Sequence, residues 1–429
     1  MLTCMVFCLA TGLVRAQEQL RLPDAVNIAL KNSLDIQLAK NKISTDSINN
    51  FIGVAGGLPL VTGNISDNEQ ISSINQKLNT GTTISRAGAA TNQLNAGVTG
   101  SILLYNGERV IATKKRLAEL ESQSKTQLNS QVQNVIADVM TAYYDVVRQQ
   151  SYTKTIQRSI DVFKQKLELV RISQKAGLAN NADLFQAQID LNEQVLARQA
   201  QDLVIQQAKT ELLRVMGVNT DSTVNVEDTI LVDRSINLGD ILSSISKNPD
   251  IVAADQQIRI NSLIVKETSA QRYPSVRATS GFNFVRSQAA AGQVLLNQNY
   301  GPAIGVNVSI PIYNGQIYKR QIKTAEINVK NAELQKKILE RDYSADVVKF
   351  YNTYIFTLQQ LDTEKVNYQL SAKLLDLSLK RFQFRQATIV EVKNSQQAFE
   401  QSGYRLVNLS FAAKSAEISL KKLASRLSL

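Results

Sequence analysis

Ile102-Leu103-Leu104-Tyr105-Asn106-Gly107 and Ile310-Pro311-Ile312-Tyr313-Asn314-Gly315 are two versions of one segment, 208 residues apart. The same spacing aligns Tyr143 with Tyr351, Asp183-Leu184 with Glu391-Val392, and Leu212 with Leu420. Similarity at one fixed offset marks a duplicated structural unit. Toward the N-terminus the offset becomes 216 and then 215. There Leu22-Pro23-Asp24-Ala25 and Asn32 match Leu238-Gly239-Asp240-Ile241 and Asn248, and Pro59 matches Pro274. The difference in length therefore falls between Pro59 and Ile102, a stretch that reads as loop and strand.

Outward from this segment, both copies keep one order. A first helix is predicted from Asp24 to Phe51 and from Gly239 to Arg272. Two β segments joined by a polar loop follow. A very long helix comes next, from Glu108 to Ala176 and from Gln316 to Phe384, with no Pro or Gly inside either. At 1.5 Å per residue each spans roughly 100 Å. After a short break comes a last helix, from Asp183 to Met216 and from Glu391 to Leu427. The boundaries that result are a first helix–hairpin–helix repeat over 17–217, a linker over 218–235 and a second repeat over 236–429. Apolar residues at alternating steps of four and three predict coiled-coil packing. They are Ile156, Ile160, Phe163, Leu167 and Val170 in the first long helix. In the second they are Leu370, Leu374, Leu377 and Phe384, with Arg381 in register.

The β segments alternate strictly. Ile304, Val306, Val308, Ile310 and Ile312 interleave with Gly305, Asn307, Ser309 and Pro311. Ala96, Val98, Gly100, Ile102 and Leu104 interleave with Asn95, Gly97, Thr99 and Ser101. Val276, Ala278, Phe282 and Phe284 share one face of a further strand. A strand with lipid on one side and water on the other reads this way, and so does a soluble hairpin with one buried face. Four strands cannot close a barrel, and open edges in lipid leave backbone groups unpaired. A membrane reading thus requires several chains. Two would give eight strands, too narrow for a pore, and three would give twelve.

Composition excludes several functions. The chain of 429 residues has no His and no Trp, so the commonest metal ligand and general base is missing. Its two cysteines are Cys4 and Cys8, so no Cys/His metal cluster or disulfide framework can exist further along. No Walker-type phosphate loop is present. The reading is a protein with no cofactor that is not an enzyme. The formal charge of +11 is spread along helical patterns with no basic stripe or interleaved aromatics, so no nucleic-acid partner is expected. The apolar stretch from Leu2 to Val14, with Val14-Arg15-Ala16 as a cleavage site, reads as a signal peptide over 1–16 that removes both cysteines.

With the repeat and the alternating strands in hand, the chain resembles the TolC family of outer-membrane efflux proteins. Tyr105-Asn106-Gly107 and Tyr313-Asn314-Gly315 are similar to that family's strand-to-helix junction. The family's interhelical motif, Arg-aromatic-x-x-Gly followed six residues on by Asp-Val-Leu-x-Ala, is kept in part in each copy. The first copy has Gly177, Asp183-Leu184 and Ala187; the second has Arg381-Phe382, Arg385, Glu391-Val392 and Ser395. The resemblance implies a mainly α fold with a transmembrane β part. In it, a homotrimer builds a 12-stranded β-barrel in outer-membrane lipid, continued by a long α-helical periplasmic tunnel, with 218–235 at its equator. It also implies a passive exit duct for efflux or type I secretion. Its partners would be a periplasmic adaptor (membrane fusion) protein and an inner-membrane RND or ABC-type pump. The periplasmic gate would fall on Asp183, Arg381, Phe382, Arg385, Glu391 and Asn394. The family's gating Arg position is Ala387 here, which leaves Arg381 or Arg385 to supply the charge. Asp183 and Glu391 also start helices, where a carboxylate caps free N–H groups and suits the dipole. The other reading of the chain is a coiled-coil scaffold of the periplasm or cell surface that stays out of the membrane.

Overall fold

The computed structural model describes residues 19–226 and 229–427. The expected signal peptide, with Cys4 and Cys8, lies outside them. The first repeat contains α1 (Leu22–Asn32), α2 (Leu34–Asn49), β1 (Leu60–Lys77), β2 (Thr83–Tyr105), α3 (Arg109–Lys175) and α4 (Asn181–Met216). The second contains α5 (Leu238–Ser244), α6 (Pro249–Ala270), β3 (Ser275–Ala289), β4 (Leu296–Ser309), α7 (Ile317–Gln383) and α8 (Ile389–Leu423). Both long helices have 67 residues.

The first helix of each repeat is broken, against the sequence expectation of one continuous helix. Ser33 leaves the helical region at φ −55°, ψ 121°, and its hydroxyl accepts from the N–H of Ile36 to cap α2. In the second repeat Asn248 precedes Pro249 and is extended, at φ −61°, ψ 131°. A residue before proline is pushed out of the helical region by the ring. Asn248 then caps the restart, accepting from the N–H of Asp250 at 2.9 Å and donating to the carbonyl of Leu423 at 2.9 Å.

The chain divides into two compact units that cut across the repeats. One is made of Asn41–Lys125 and Ala253–Lys337, the other of Met1–Lys40, Thr126–Val252 and Ile338–Leu429.

The first of these holds a single antiparallel sheet in the order β1-β2-β3-β4. Register shows why it has two faces. Ile65, Ala96, Phe284 and Tyr300 stand in one row, and Gly63, Val98, Phe282 and Pro302 in the next. Val61, Gly100, Ser280 and Ile304 follow, then Ile102, Ala278 and Val306. These rows share one face, and its large aliphatic side chains lie open, Ile304 at 87% exposure and Ile65 at 81%. The opposite face carries Asn, Ser, Thr and Gly. Successive residues of a strand point to opposite faces, so a lipid face and a water face arise together. Strands of 14 to 23 residues exceed the roughly 9–11 needed to cross a bilayer. The segment after Pro59, poor in alternation, is nevertheless an 18-residue strand because β2 pairs with it along its length. β4 ends at Ser309, two residues before Pro311, which has no N–H to donate.

The second unit is helical, with two matching cores. Ala25, Val26 and Ala29 of α1 pack with Val139, Tyr143 and Val146 of α3 and Leu212 and Met216 of α4. Ile241 of α5 packs with Val347, Tyr354 and Leu358 of α7 and Ala413, Ala416 and Leu420 of α8. Tyr143 donates to the carbonyl of Leu20 at 3.1 Å, and Tyr354 donates to that of Asp233, each tying down the strap before its repeat's first helix. The sequence pairs Tyr143 with Tyr351, but the buried anchor of the second copy is Tyr354, one turn further. The two predicted seams differ in fate. Ile156, Ile160, Phe163, Leu167 and Val170 are all buried within the chain, whereas Leu370, Leu374 and Leu377 remain about half exposed. No helix among the described residues is long and apolar enough to cross a membrane.

Candidate functional site: the two interhelical turns

The predicted gate residues lie at the α3–α4 and α7–α8 turns of the helical unit. The two turns share one backbone design. After α3, Gly177 takes φ 72°, its N–H donating to the carbonyl of Gln174 and that of Leu178 to Ser173. After α7, Arg385 takes φ 58°, its N–H donating to Phe382 and that of Gln386 to Arg381. Both are left-handed helix stops that satisfy the last free carbonyls. The motif's glycine position is thus filled in the second copy by an arginine in a conformation that L side chains resist.

Each following helix starts on a cap. Asn180 accepts from the N–H of Asp183 at 2.8 Å, and the Asp183 carboxylate accepts from the N–H of Asn180 at 3.2 Å, a reciprocal capping box. Thr388 accepts from the N–H of Glu391 at 3.2 Å. The Glu391 carboxylate does not return the bond; it lies 3.7 Å from the Arg381 guanidinium, which also donates to the carbonyl of Gln386 at 2.8 Å. Arg381 therefore staples the turn from within.

The turns face a common cavity of about 490 Å³ lined by Val170, Leu178, Asp183, Phe382, Arg385 and Ile389, among others. Phe382 is half-buried and joins two apolar clusters, one with Leu375, Val392 and Phe399, the other with Leu167, Val170 and Ala187. It packs within its own chain, and the freely projecting ring of this turn is Phe384, 74% exposed. Asn394 is exposed on α8.

Above the turns lies a buried charge cluster that sequence reading missed. Lys166 of α3 and Asp190 of α4 pair at 2.6 Å with side chains 0% and 1% exposed. Asp190 also accepts from Lys393 of α8 at 2.9 Å and from Gln186 at 2.9 Å. Burial pushes the Asp190 carboxyl up, but hydrogen bonds from Lys166, Lys393 and Gln186 outweigh it and hold it below the usual carboxylate range. Burial lowers the Lys166 ammonium, only partly offset by Asp190. One carboxylate thus joins three helices drawn from both repeats. A lone Lys and Asp at surface-like heptad positions give no sequence signal of such a cluster.

The other junctions stand at the sheet end. Gly107 and Glu108 both have positive φ, 67° and 68°, and Gly315 and Gln316 repeat this at 64° and 63°. Two consecutive left-handed residues turn each strand into its long helix. Tyr105 and Tyr313 are both exposed there.

The profile of the family described as outer membrane efflux protein matches residues 25–218 and 241–426. The chain belongs to that family. Outer membrane efflux protein BepC of Brucella suis is 20% identical over 247 residues. That match takes in 57% of this chain and 53% of BepC, so the chain spans about half the length of this curated relative. The outer membrane protein VceC of Vibrio cholerae superposes with a TM-score of 0.73 at 17% identity, over 94% of this chain and 96% of that one. The Campylobacter jejuni CmeC outer membrane channel does so at 0.75 and 15%, over 94% and 85%. Membership in the efflux family places the chain in the outer membrane, extending into the periplasm, and the fold is that of channel proteins. A scaffold that stays out of the membrane leaves the apolar sheet face unexplained.

Proposed function

We propose that the chain is one subunit of a homotrimeric exit duct. In this reading it takes cargo from an inner-membrane RND or ABC-type pump through a periplasmic adaptor. The observation that carries it is the sheet, apolar on one face with β1 and β4 as unpaired edges. Unpaired edge groups in hydrocarbon are too costly to leave open. Pairing β1 with a second β1 would send the helices to opposite sides of the membrane. Each β1 therefore pairs with a neighbour's β4, a head-to-tail contact that repeats until the ring closes. Three chains give twelve strands and an aqueous lumen. The helical unit supports the same assembly. Phe185, Ile189, Leu196 and Leu203 run exposed along α4 at heptad spacing, and Val366, Leu370, Leu374 and Leu377 along α7. Each stripe suits the other on an adjacent copy.

The gate we assign to the two turns, with Arg381 and Glu391 holding the second turn in its closed form. Detergent-extracted protein tested by chemical cross-linking and then in planar bilayers decides the matter. A cross-linked trimer with discrete conductance steps is the expected result. A monomer that stays soluble without detergent overturns the duct.

A further inference from the structure

Inside the sheet's water face the charges are few, and register identifies them. On β1 the residues of that face are Leu60, Thr62, Asn64, Ser66, Asn68 and Gln70, and on β2 Gln93, Asn95, Gly97, Thr99, Ser101 and Leu103. On β4 they are Asn299, Gly301, Ala303, Gly305, Asn307 and Ser309. None is charged. On β3 they include Thr279, Gly281, Asn283 and one ion, Arg277. It stands in the row of Leu103 and Asn307 and is exposed. Among the described residues it donates to one side chain, the Ser101 hydroxyl, over a long 3.4 Å. The acidic residues of the sheet, Asp67 and Glu69, belong to the opposite face, where Asp67 pairs with Leu94 and accepts from Asn92 at 2.7 Å. Arg286 is on that opposite face as well, bonded to Gln288.

We infer that Arg277 is the residue by which the barrel selects its solutes, and that it draws anions. The inference rests on the trimeric duct reading. Three copies place three guanidinium groups in one ring at the helix end of a wall that is neutral from there to the row of Gln70 and Thr91; past the bulge that follows, Arg86 shares the face with Ile74 but is bonded to the carbonyl of Ala290 at 3.1 Å. A guanidinium stays charged at any working pH. With no carboxylate on the face, its field is cancelled by nothing but mobile ions. Rings of charged side chains set ionic preference in pores. The solutes favoured are polyanions and organic acids, whose charge meets the ring as they enter the barrel from its helix end.

Multivalent anion block tests this locally. Hexacyanoferrate(III) is added to the barrel side of single channels in a bilayer, in salt of about 0.1 M. With the ring about 10 Å from the axis, screened attraction for a trivalent anion amounts to about tenfold in affinity. Arg277→Ala is expected to raise the half-blocking concentration about tenfold, and Arg277→Lys to leave it near the unmodified value. Equal half-blocking concentrations in Arg277→Ala and unmodified channels overturn the inference while the duct stands. So does an absence of block in the unmodified channel. If no variant conducts, the duct reading fails and takes the inference with it.

Discussion

Asp190 accepts hydrogen bonds from Lys166 at 2.6 Å and from Lys393 at 2.9 Å, joining a helix of the second repeat to two of the first through one buried carboxylate. Each lysine alone is easily placed; it is their convergence on Asp190 that fixes the spacing of three helices near the turns.

Asp190→Asn leaves Lys166 buried without a counter-ion. Breaking a buried pair from one side costs about 3–5 kcal/mol. The melting temperature of the helical signal by circular dichroism should fall clearly. The double variant Lys166→Met with Asp190→Leu should recover most of the loss, since apolar groups of similar volume replace a desolvated pair. A single variant that melts with the unmodified protein removes the cluster from the stability argument.

Arg385 occupies a left-handed backbone position at which glycine costs least. Arg385→Gly is expected to stabilise the α7–α8 turn by about 1 kcal/mol, and Gly177→Ala to weaken the α3–α4 turn by a similar amount. Denaturant titration followed by helix content measures both. Opposite signs for the two substitutions are the expected outcome.

Gly107 and Gly315 look equivalent in sequence but differ in surroundings. A Cβ on Gly107 would lie 2.8 Å from the carbonyl oxygen of Ala270 and 2.8 Å from Cβ of Tyr273, whereas nothing lies within 4 Å of one on Gly315. Gly107→Ala should therefore cost about 2–3 kcal/mol, with overpacking added to backbone strain, and Gly315→Ala about 1 kcal/mol. Comparable yields of folded protein from the two variants count against this asymmetry.

Arg381 closes the second turn on itself through Gln386 and Glu391. Arg381→Gln should raise single-channel conductance. Arg385→Gln, at a position fixed by backbone geometry, should change it less. Equal conductance for both variants and the unmodified channel removes Arg381 from the gate.

Acid should loosen the Asp190 cluster and also the ion pair of Asp233 with Lys421, 3.0 Å apart. Asp190 is held down against its own burial by Lys166 and Lys393, and Asp233 by the hydroxyl and N–H of Ser235 and by Lys421. Folded carboxyls of this kind stay ionised where unfolded ones protonate. The stability they give is complete above the unfolded value near ~3.9 and is lost as pH falls below it toward the folded values. Thermal melts between neutral and acid pH should show the fall beginning near ~4, and Asp190→Asn should flatten it.

Much of the architecture was readable because it rests on periodicity and repetition. The Tyr-Asn-Gly segments located both strand-to-helix junctions, and the absence of Pro and Gly gave the long helices to within a few residues. The alternating faces of β3 and β4 were equally plain. Where a single side chain or a partner strand decides, the sequence was silent. The break at Ser33 depends on one hydroxyl capping Ile36. β1 owes its length to pairing with β2 and not to its own pattern. At the turns, Asp183, Phe382 and Arg385 line one cavity and Arg381 meets Glu391, while Asn394 stands apart from that cavity; the packing of Phe382 within its own chain and the left-handed backbone of Arg385 follow from three-dimensional surroundings. The heptad at Ile156 to Val170 and that at Leu370 to Leu377 looked alike; one found its partner inside the chain and the other did not.

The two unpaired strand edges have a genetic consequence. In the proposed ring, head-to-tail growth means that a chain able to offer β4 but not β1 can still join, and no further copy can then close it. A proline placed in the middle of β1 should therefore harm more than the chain that carries it. Co-expressed with the unmodified gene, it should poison mixed assemblies, and the loss of transport should exceed the fraction of altered chains.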